Sequence, residues 1–115
     1  MDHVYGDFKQ SERIYAVMTN LDGKDFKSVT AGSKVLVDFF ADWCGECKAL
    51  ELMLAAAEEK TDVPFYRFDC DSDREFVAEL GIMSIPTLML FENGKEKARK
   101  IGLCDTDEIL GFINR

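Results

Sequence analysis

The stretch Val35-Leu36-Val37-Asp38-Phe39-Phe40-Ala41-Asp42-Trp43-Cys44-Gly45-Glu46-Cys47-Lys48 decides how the rest of this chain is read. From Lys34 to Phe40 it is apolar on both alternating faces. Val35, Val37 and Phe39 share one face; Leu36 and Phe40 share the other, which Asp38 breaks. A strand of that kind sits in the middle of a sheet and is covered on both sides. A long helical pattern, Ala49 to Lys60, follows Cys47. A strand running straight into a helix puts Cys44 at the helix N-terminus. Unpaired backbone N–H groups and the positive end of the helix dipole stabilise an anion there, and a thiolate is an anion. An ordinary thiol, with pKa about 8.5, is only about 3% ionised at pH 7. Lowering that pKa by roughly 1.5 units, about 2 kcal/mol, makes close to half of it nucleophilic. Cys47 lies about one turn further in, within reach of a mixed disulfide formed by Cys44. That spacing suits thiol–disulfide exchange.

Downstream, the helix is apolar over most of its girth, with Leu50, Leu54 and Ala57 expected to face the sheet. Its polar stripe is expected to run Lys48, Glu51, Glu58 and Glu59, with Ala55 filling the gap. Pro64 breaks the pattern ahead of a strand, Phe65 to Asp69. One of Asp71 to Asp73 caps a helix from about Arg74 to Leu80, which Gly81 stops. Thr87 to Phe91 is the next strand. Asn93-Gly94 is a two-residue hairpin signal, so Lys95 to Ile101 pairs antiparallel with it as a basic, exposed edge. Thr106 is expected to cap a last helix carrying Ile109, Leu110 and Ile113.

Upstream, Ile14 to Thr19 is expected to be a short strand. Asn20 or Asp22 then caps a helix with Phe26 and Val29 on one side, ended by Gly32. Residues 1–13 show neither period and read as an N-terminal extension, with a short helix around Gly6 to Arg13; residues 14–115 form the domain. The order βαβαβαββα predicts an α/β fold: one mixed sheet with helices on both faces.

The 115 residues suit one domain with one modest core. The net charge of −8 argues against a general nucleic-acid binder and against docking on anionic lipid. No apolar run approaches the ~20 residues that span a bilayer, and Met1 to Arg13 shows no apolar signal segment. On that reading the four cysteines are catalytic or metal-binding rather than a disulfide framework. Cys70 and Cys104 could complete a zinc site with Cys44 and Cys47. The spacings are long and irregular, however, no second C-x-x-C exists, and His3 is the sole histidine.

Three blocks together resemble the thioredoxin family over roughly Ile14 to Arg115. They are the stretch quoted above, Ile85-Pro86-Thr87 before an apolar strand and Asn93-Gly94-Lys95, and Gly102 ahead of the last helix. A lone C-x-x-C is a weak signal; with its Trp, the upstream Asp and the Ile-Pro-Thr it is specific. The resemblance implies the thioredoxin fold, with a central five-stranded sheet and a cis-Pro86 facing the dithiol. It implies Cys44 as attacking thiolate, Cys47 as resolving thiol, and Asp38 beneath Cys47 handling its proton. Trp43, Gly45, Glu46, Ile85, Pro86 and Gly102 are implied to form the substrate surface. There Trp43 shields the thiols, the Ile85 backbone pairs with an extended segment, and Gly102 leaves room for it. Arg67 falls where the family often carries a lysine next to the buried acid; pairing with a surface acid is its other reading. One departure stands out: Gly45-Glu46 replaces the usual Gly-Pro between the cysteines.

The resemblance further implies an electron-carrying protein-disulfide reductase without metal or organic cofactor. Its partners are disulfide-containing proteins and a thioredoxin reductase, not nucleic acid or membrane, and it is expected to be monomeric and cytoplasmic. The alternatives are a thioredoxin-fold binding or assembly module, and a disulfide oxidase or isomerase.

Overall fold

The computed structural model describes residues 18–115. The extension, its expected helix and residues Ile14 to Val17 of the expected first strand lie outside the described residues. Five strands form one sheet: β1 (Thr19–Leu21), β2 (Lys34–Phe40), β3 (Phe65–Asp69), β4 (Thr87–Glu92) and β5 (Lys95–Ile101). Among the described residues four α-helices accompany them: α1 (Gly23–Thr30), α2 (Gly45–Glu58), α3 (Arg74–Glu79) and α4 (Thr106–Ile113). A 3-10 turn, Cys70–Ser72, follows β3. The spatial order is β1-β3-β2-β4-β5. β3 runs parallel to β1 and β2, and β4 runs antiparallel to both β2 and β5.

β2 is the central strand that its two-sided apolar pattern predicts. Its even face, Leu36 with Phe65, Leu88 and Leu90, packs under Leu50, Leu54 and Ala57 of α2 and Ile109, Phe112 and Ile113 of α4. Its odd face, Val35, Val37 and Phe39, packs with Phe68, Met89 and Phe91 under α1 and α3. There Phe26 of α1 meets Phe76 and Phe91 edge to face, with ring centroids 5.1 and 5.2 Å away. Such pairs add directional preference to apolar burial. Period 2 in the strands thus sorts the side chains into two cores, and Asp38 falls in the α2 side.

The hairpin forms at Asn93-Gly94, where both residues have positive φ, 54° and 85°, the conformation that this pair adopts most readily. β5 is exposed along its first half and carries the expected lysines and arginine. Arg99 donates to the carbonyls of Leu80 and Gly81, tying β5 to the end of α3.

Several boundaries differ from the sequence reading. The first described strand is Thr19–Leu21 rather than a run ending at Thr19; Leu21 supplies its buried side chain. α2 begins at Gly45, four residues before its apolar periodicity starts, because Cys44 rather than an apolar residue opens it. The exposed stripe of α2 runs through Lys48, Leu52, Ala56 and Glu59. Ala55 is buried, and Glu51 and Glu58 are half-buried. The helix is rotated so that Glu51 reaches Arg67 on β3. The cap of α4 is Asp105, not Thr106. Thr106 is the first helical residue, and its hydroxyl donates to the Met53 carbonyl.

Candidate active site

The site is built where β2 ends and α2 begins. Phe40 closes the strand, Ala41 follows it, and Cys44 is the N-cap of α2 with extended backbone, φ −92° and ψ 112°. The Cys44 N–H donates to the Ala41 carbonyl at 3.2 Å, which tightens the turn. The Cys44 carbonyl accepts the first helical bond, from Lys48. Cys44 and Cys47 are joined by a disulfide with their Cα atoms 5.3 Å apart, within the normal range for such a bond. The Cys47 N–H donates to Cys44 Sγ at 3.2 Å. The helix therefore aims at the outer sulfur a backbone donor that has no carbonyl partner within the helix, and there it stabilises negative charge. The pair packs with Phe40 and Ala41, and Ile85 lies against this cluster. Cys44 keeps slight exposure while Cys47 has almost none, which orders them as outer and inner sulfur.

Asp38 is 1% exposed on the face covered by α2. Its register partner on β3 is Arg67, and Arg67 Nε comes within 3.5 Å of Asp38 Oδ2. Neither carboxylate oxygen accepts a hydrogen bond among the described residues. Burial therefore outweighs Arg67 and pushes the acid up to about 7. A cleft of about 340 Å³ opens beside this group, lined by Phe40, Ala41, Asp42, Cys47, Lys48, Glu51 and Arg67.

Around the disulfide lie the residues expected to form a substrate surface. Trp43 is 71% exposed, and its indole N–H donates to Asp71 Oδ2 at 2.8 Å, so the ring is held although it faces solvent. Gly45 and Glu46 are exposed at the helix start. The Ile85–Pro86 bond is cis, and Pro86 is buried. The Pro86 carbonyl accepts from the Gly102 N–H at 2.8 Å. Gly102 has φ +94°, and a Cβ there would meet open space. Backbone conformation, not crowding within the chain, is thus what demands glycine. Met83, Ile101 and Leu103 are large exposed apolar side chains, Met83 at 96%.

Cys70 and Cys104 are free and buried, in the cores on opposite sides of the sheet. Burial chiefly raises both, Cys70 to about 11. Among the described residues no group of three or more His, Cys, Asp or Glu is placed to hold a metal ion. Sequence reasoning missed Asp71 and Glu51 as neighbours of the site. Arg67 does stand next to the buried Asp38, as the resemblance implied, because the parallel register of β2 and β3 brings the two side by side.

The thioredoxin family profile matches residues 17–115. The chain belongs to the thioredoxin family. It is 42% identical over 92 residues to the thioredoxin of Chlamydia muridarum, covering 79% of this chain and 90% of the relative. To the thioredoxin of Rickettsia felis it is 40% identical over 100 residues, covering 84% and 95%. A single-site variant of Halobacterium salinarum thioredoxin superposes with a TM-score of 0.79 at 33% identity, covering 84% of this chain and 87% of that one. Oxidised mitochondrial thioredoxin 3 of Saccharomyces cerevisiae gives 0.77 at 27% identity, covering 89% and 99%. With its Cys44–Cys47 disulfide, this member of the family is a thiol–disulfide oxidoreductase. Among the described residues no helix is long and apolar enough to cross a membrane.

Proposed function

We propose that this oxidoreductase works in the reducing direction, as a carrier of electrons to disulfides in other proteins. The carrying observation is a dithiol pair whose outer sulfur caps α2, with a buried acid on the strand below. Cys44, as thiolate, attacks one sulfur of the substrate disulfide. The S–S bond breaks, the departing substrate sulfur takes a proton from solvent, and Cys44 is left in a mixed disulfide. Asp38 takes the Cys47 proton. The Cys47 thiolate then attacks Cys44 Sγ, and the second substrate sulfur leaves and is protonated. The substrate gains two electrons and two protons, and the chain ends with the Cys44–Cys47 bond. A reductase dithiol returns it to the reduced state.

In this reading Trp43, Gly45, Glu46, Ile85, cis-Pro86 and Gly102 form the surface on which an extended substrate segment lies. The packing of Ile85 on the cysteine cluster and the open space beside Gly102 support it. The dithiol itself is the redox group, without metal or organic cofactor. We place the protein in the cytoplasm as a monomer, with residues 14–115 as the working domain and 1–13 as an extension. The test is insulin reduction with a chemical thiol as electron source. Wild type accelerates it and Cys44→Ser does not. Equal rates for the two would leave a binding module as the better reading. A mildly oxidising potential against glutathione would favour an oxidase or isomerase.

A further inference from the structure

We propose that Glu51 is a positioning residue that governs the protonation of Asp38 by holding the Arg67 guanidinium away from it, at the mouth of the cleft beside Cys47. The proposal rests on the reading in which Asp38 takes the proton of Cys47.

Asp38 and Arg67 are register partners on adjacent strands, and their side chains share a face. Arginine so placed ordinarily forms a two-bond fork with a carboxylate. Here it does not. Nε stands 3.5 Å from Asp38 Oδ2, and among the described residues neither that nitrogen nor either Asp38 oxygen makes a well-formed hydrogen bond. The outer end of the guanidinium is engaged elsewhere. Nη1 donates to Glu51 Oε2 at 3.2 Å, and Cζ lies 3.7 Å from the centroid of the Phe40 ring. Glu51 follows Cys47 by four residues on α2, so both lie on one side of the helix, and both line the cleft.

Two carboxylates therefore share one cation, and the half-buried one has the hydrogen bond. The buried one keeps only part of the countercharge. Burial is the first cause of its raised pKa, Arg67 opposes it, and the Glu51 charge adds to the rise. The other titratable groups that sense Asp38 are Cys70 at the end of β3 and Cys104 ahead of α4. Burial chiefly raises both thiols, so they stay neutral near pH 7. β4 presents Leu88 beside Asp38. Among the described residues Arg67 and Glu51 are thus the charges that act on it. A carboxylate locked in a fork with arginine would be a poor proton acceptor at neutral pH. With Arg67 drawn outward, Asp38 can accept the thiol proton and release it toward the cleft.

The test is a carbon-13 NMR titration of the Asp38 carboxyl in the oxidised protein, where Cys44 and Cys47 do not titrate. Glu51→Ala frees the guanidinium to turn inward, and the midpoint falls by about one unit. Glu51→Gln, which still offers Nη1 an acceptor, lowers it by less. In an Arg67→Ala background the Glu51→Ala shift is less than half as large. An unchanged or raised midpoint in either Glu51 variant overturns the proposal, as does an equal fall with and without Arg67. The Gln variant keeps size and hydrogen bond, so it decides the matter if the Ala variant does not fold. The titration needs no turnover. Failure of insulin reduction by the wild type would sink the reductase reading and leave this measurement standing; a silent titration would do the reverse.

Discussion

α2 and α4 lie on the same side of the sheet, and they begin in the same way with different atoms. At α4, Asp105 accepts from the Glu108 N–H at 2.9 Å, and the Glu108 side chain accepts from the Asp105 N–H at 2.9 Å. This is a reciprocal capping box, with partners at the N-cap and third helical positions. At α2 the same two positions are Cys44 and Cys47. Cys44 Sγ accepts from the Cys47 N–H, and the return contact is the disulfide bond. Each helix also carries an acid at its second position, Glu46 and Asp107. α1 and α3 open on aspartates too, Asp22 and Asp73. Every α-helix start described in this fold therefore calls for negative charge. Three supply a permanent anion; α2 supplies a group that is an anion only when reduced and deprotonated. The C-x-x-C spacing is a helix-capping spacing, and the chemistry draws on a need that the backbone already has.

The harshest way to break the comparison is to make α2 begin as α4 does. Cys44→Asp is expected to bring insulin reduction down to the rate without protein. It is also expected to leave the reduced fold about 1 kcal/mol more stable than Cys44→Ala, because aspartate still caps the helix. Urea unfolding of both variants under reducing conditions checks this. Equal stabilities would mean that the cap position has no energetic demand for an anion.

The two starts also differ in what lies beneath them. α4 closes over the apolar residues Leu36, Leu88 and Leu90, while α2 also covers Asp38. In the native chain Asp38 holds its proton up to about pH 7, whereas its ordinary value is 3.8. Between those values the unfolded chain has lost a proton that the native chain retains. Stability therefore falls as pH rises through this window, by up to about 4 kcal/mol, and levels off above pH 7. Asp38→Asn removes that slope. The variant is expected to be more stable than wild type at pH 7.5, yet slower in turnover by about 100-fold, since the resolving thiol loses its base. Glu58, raised by burial to about 6, adds a smaller slope of the same sign to both proteins. Unfolding measured from pH 5 to 8 on oxidised protein checks the sign. A variant with an undiminished slope would place the titrating group elsewhere.

At α4 the capping box is made by two carboxylates and no sulfur. Asp105→Ala is expected to lower stability by about 1 kcal/mol and leave the redox potential unchanged. A shifted potential would mean that the two helix starts are coupled.

This division explains what could be read from the chain. β2, the hairpin at Asn93-Gly94 and the apolar faces of the helices were legible, because periodicity and turn chemistry are local. The dithiol was legible because its position between strand and helix fixes its field. Helix starts were read less well. At α4 both Asp105 and Thr106 are good caps, and only the fold decides that Thr106 bonds to Met53 instead. The polar stripe of α2 was misplaced for a related reason. Glu51 resembles any solvated glutamate until β3 brings Arg67 beside it. Trp43 could be placed near the thiols, but its bond to Asp71 joins residues 28 positions apart. Contacts between charged groups on different elements depend on register, which one chain does not print.

The finest test concerns the acid at the second helical position, where α2 and α4 agree and the family usually has proline in α2. Glu46 is favourable to the helix for the same reason as Asp107: it places negative charge near the positive end of the dipole. At α2, however, that charge stands beside the sulfur that must become an anion. It uses part of the field that would otherwise act on Cys44. Both Glu46→Gln and Glu46→Pro are therefore expected to lower the Cys44 pKa in the reduced protein. An exposed charge at a helix end is worth about 0.3–1 kcal/mol, or roughly 0.2–0.7 pKa unit. Thiolate absorbance titrations resolve a shift of that size. The difference should shrink at high salt, because Glu46 is exposed and its charge is screened. An equal or higher Cys44 pKa in both variants would show that the sulfur responds to the backbone donors of α2 and not to the side chain between the cysteines.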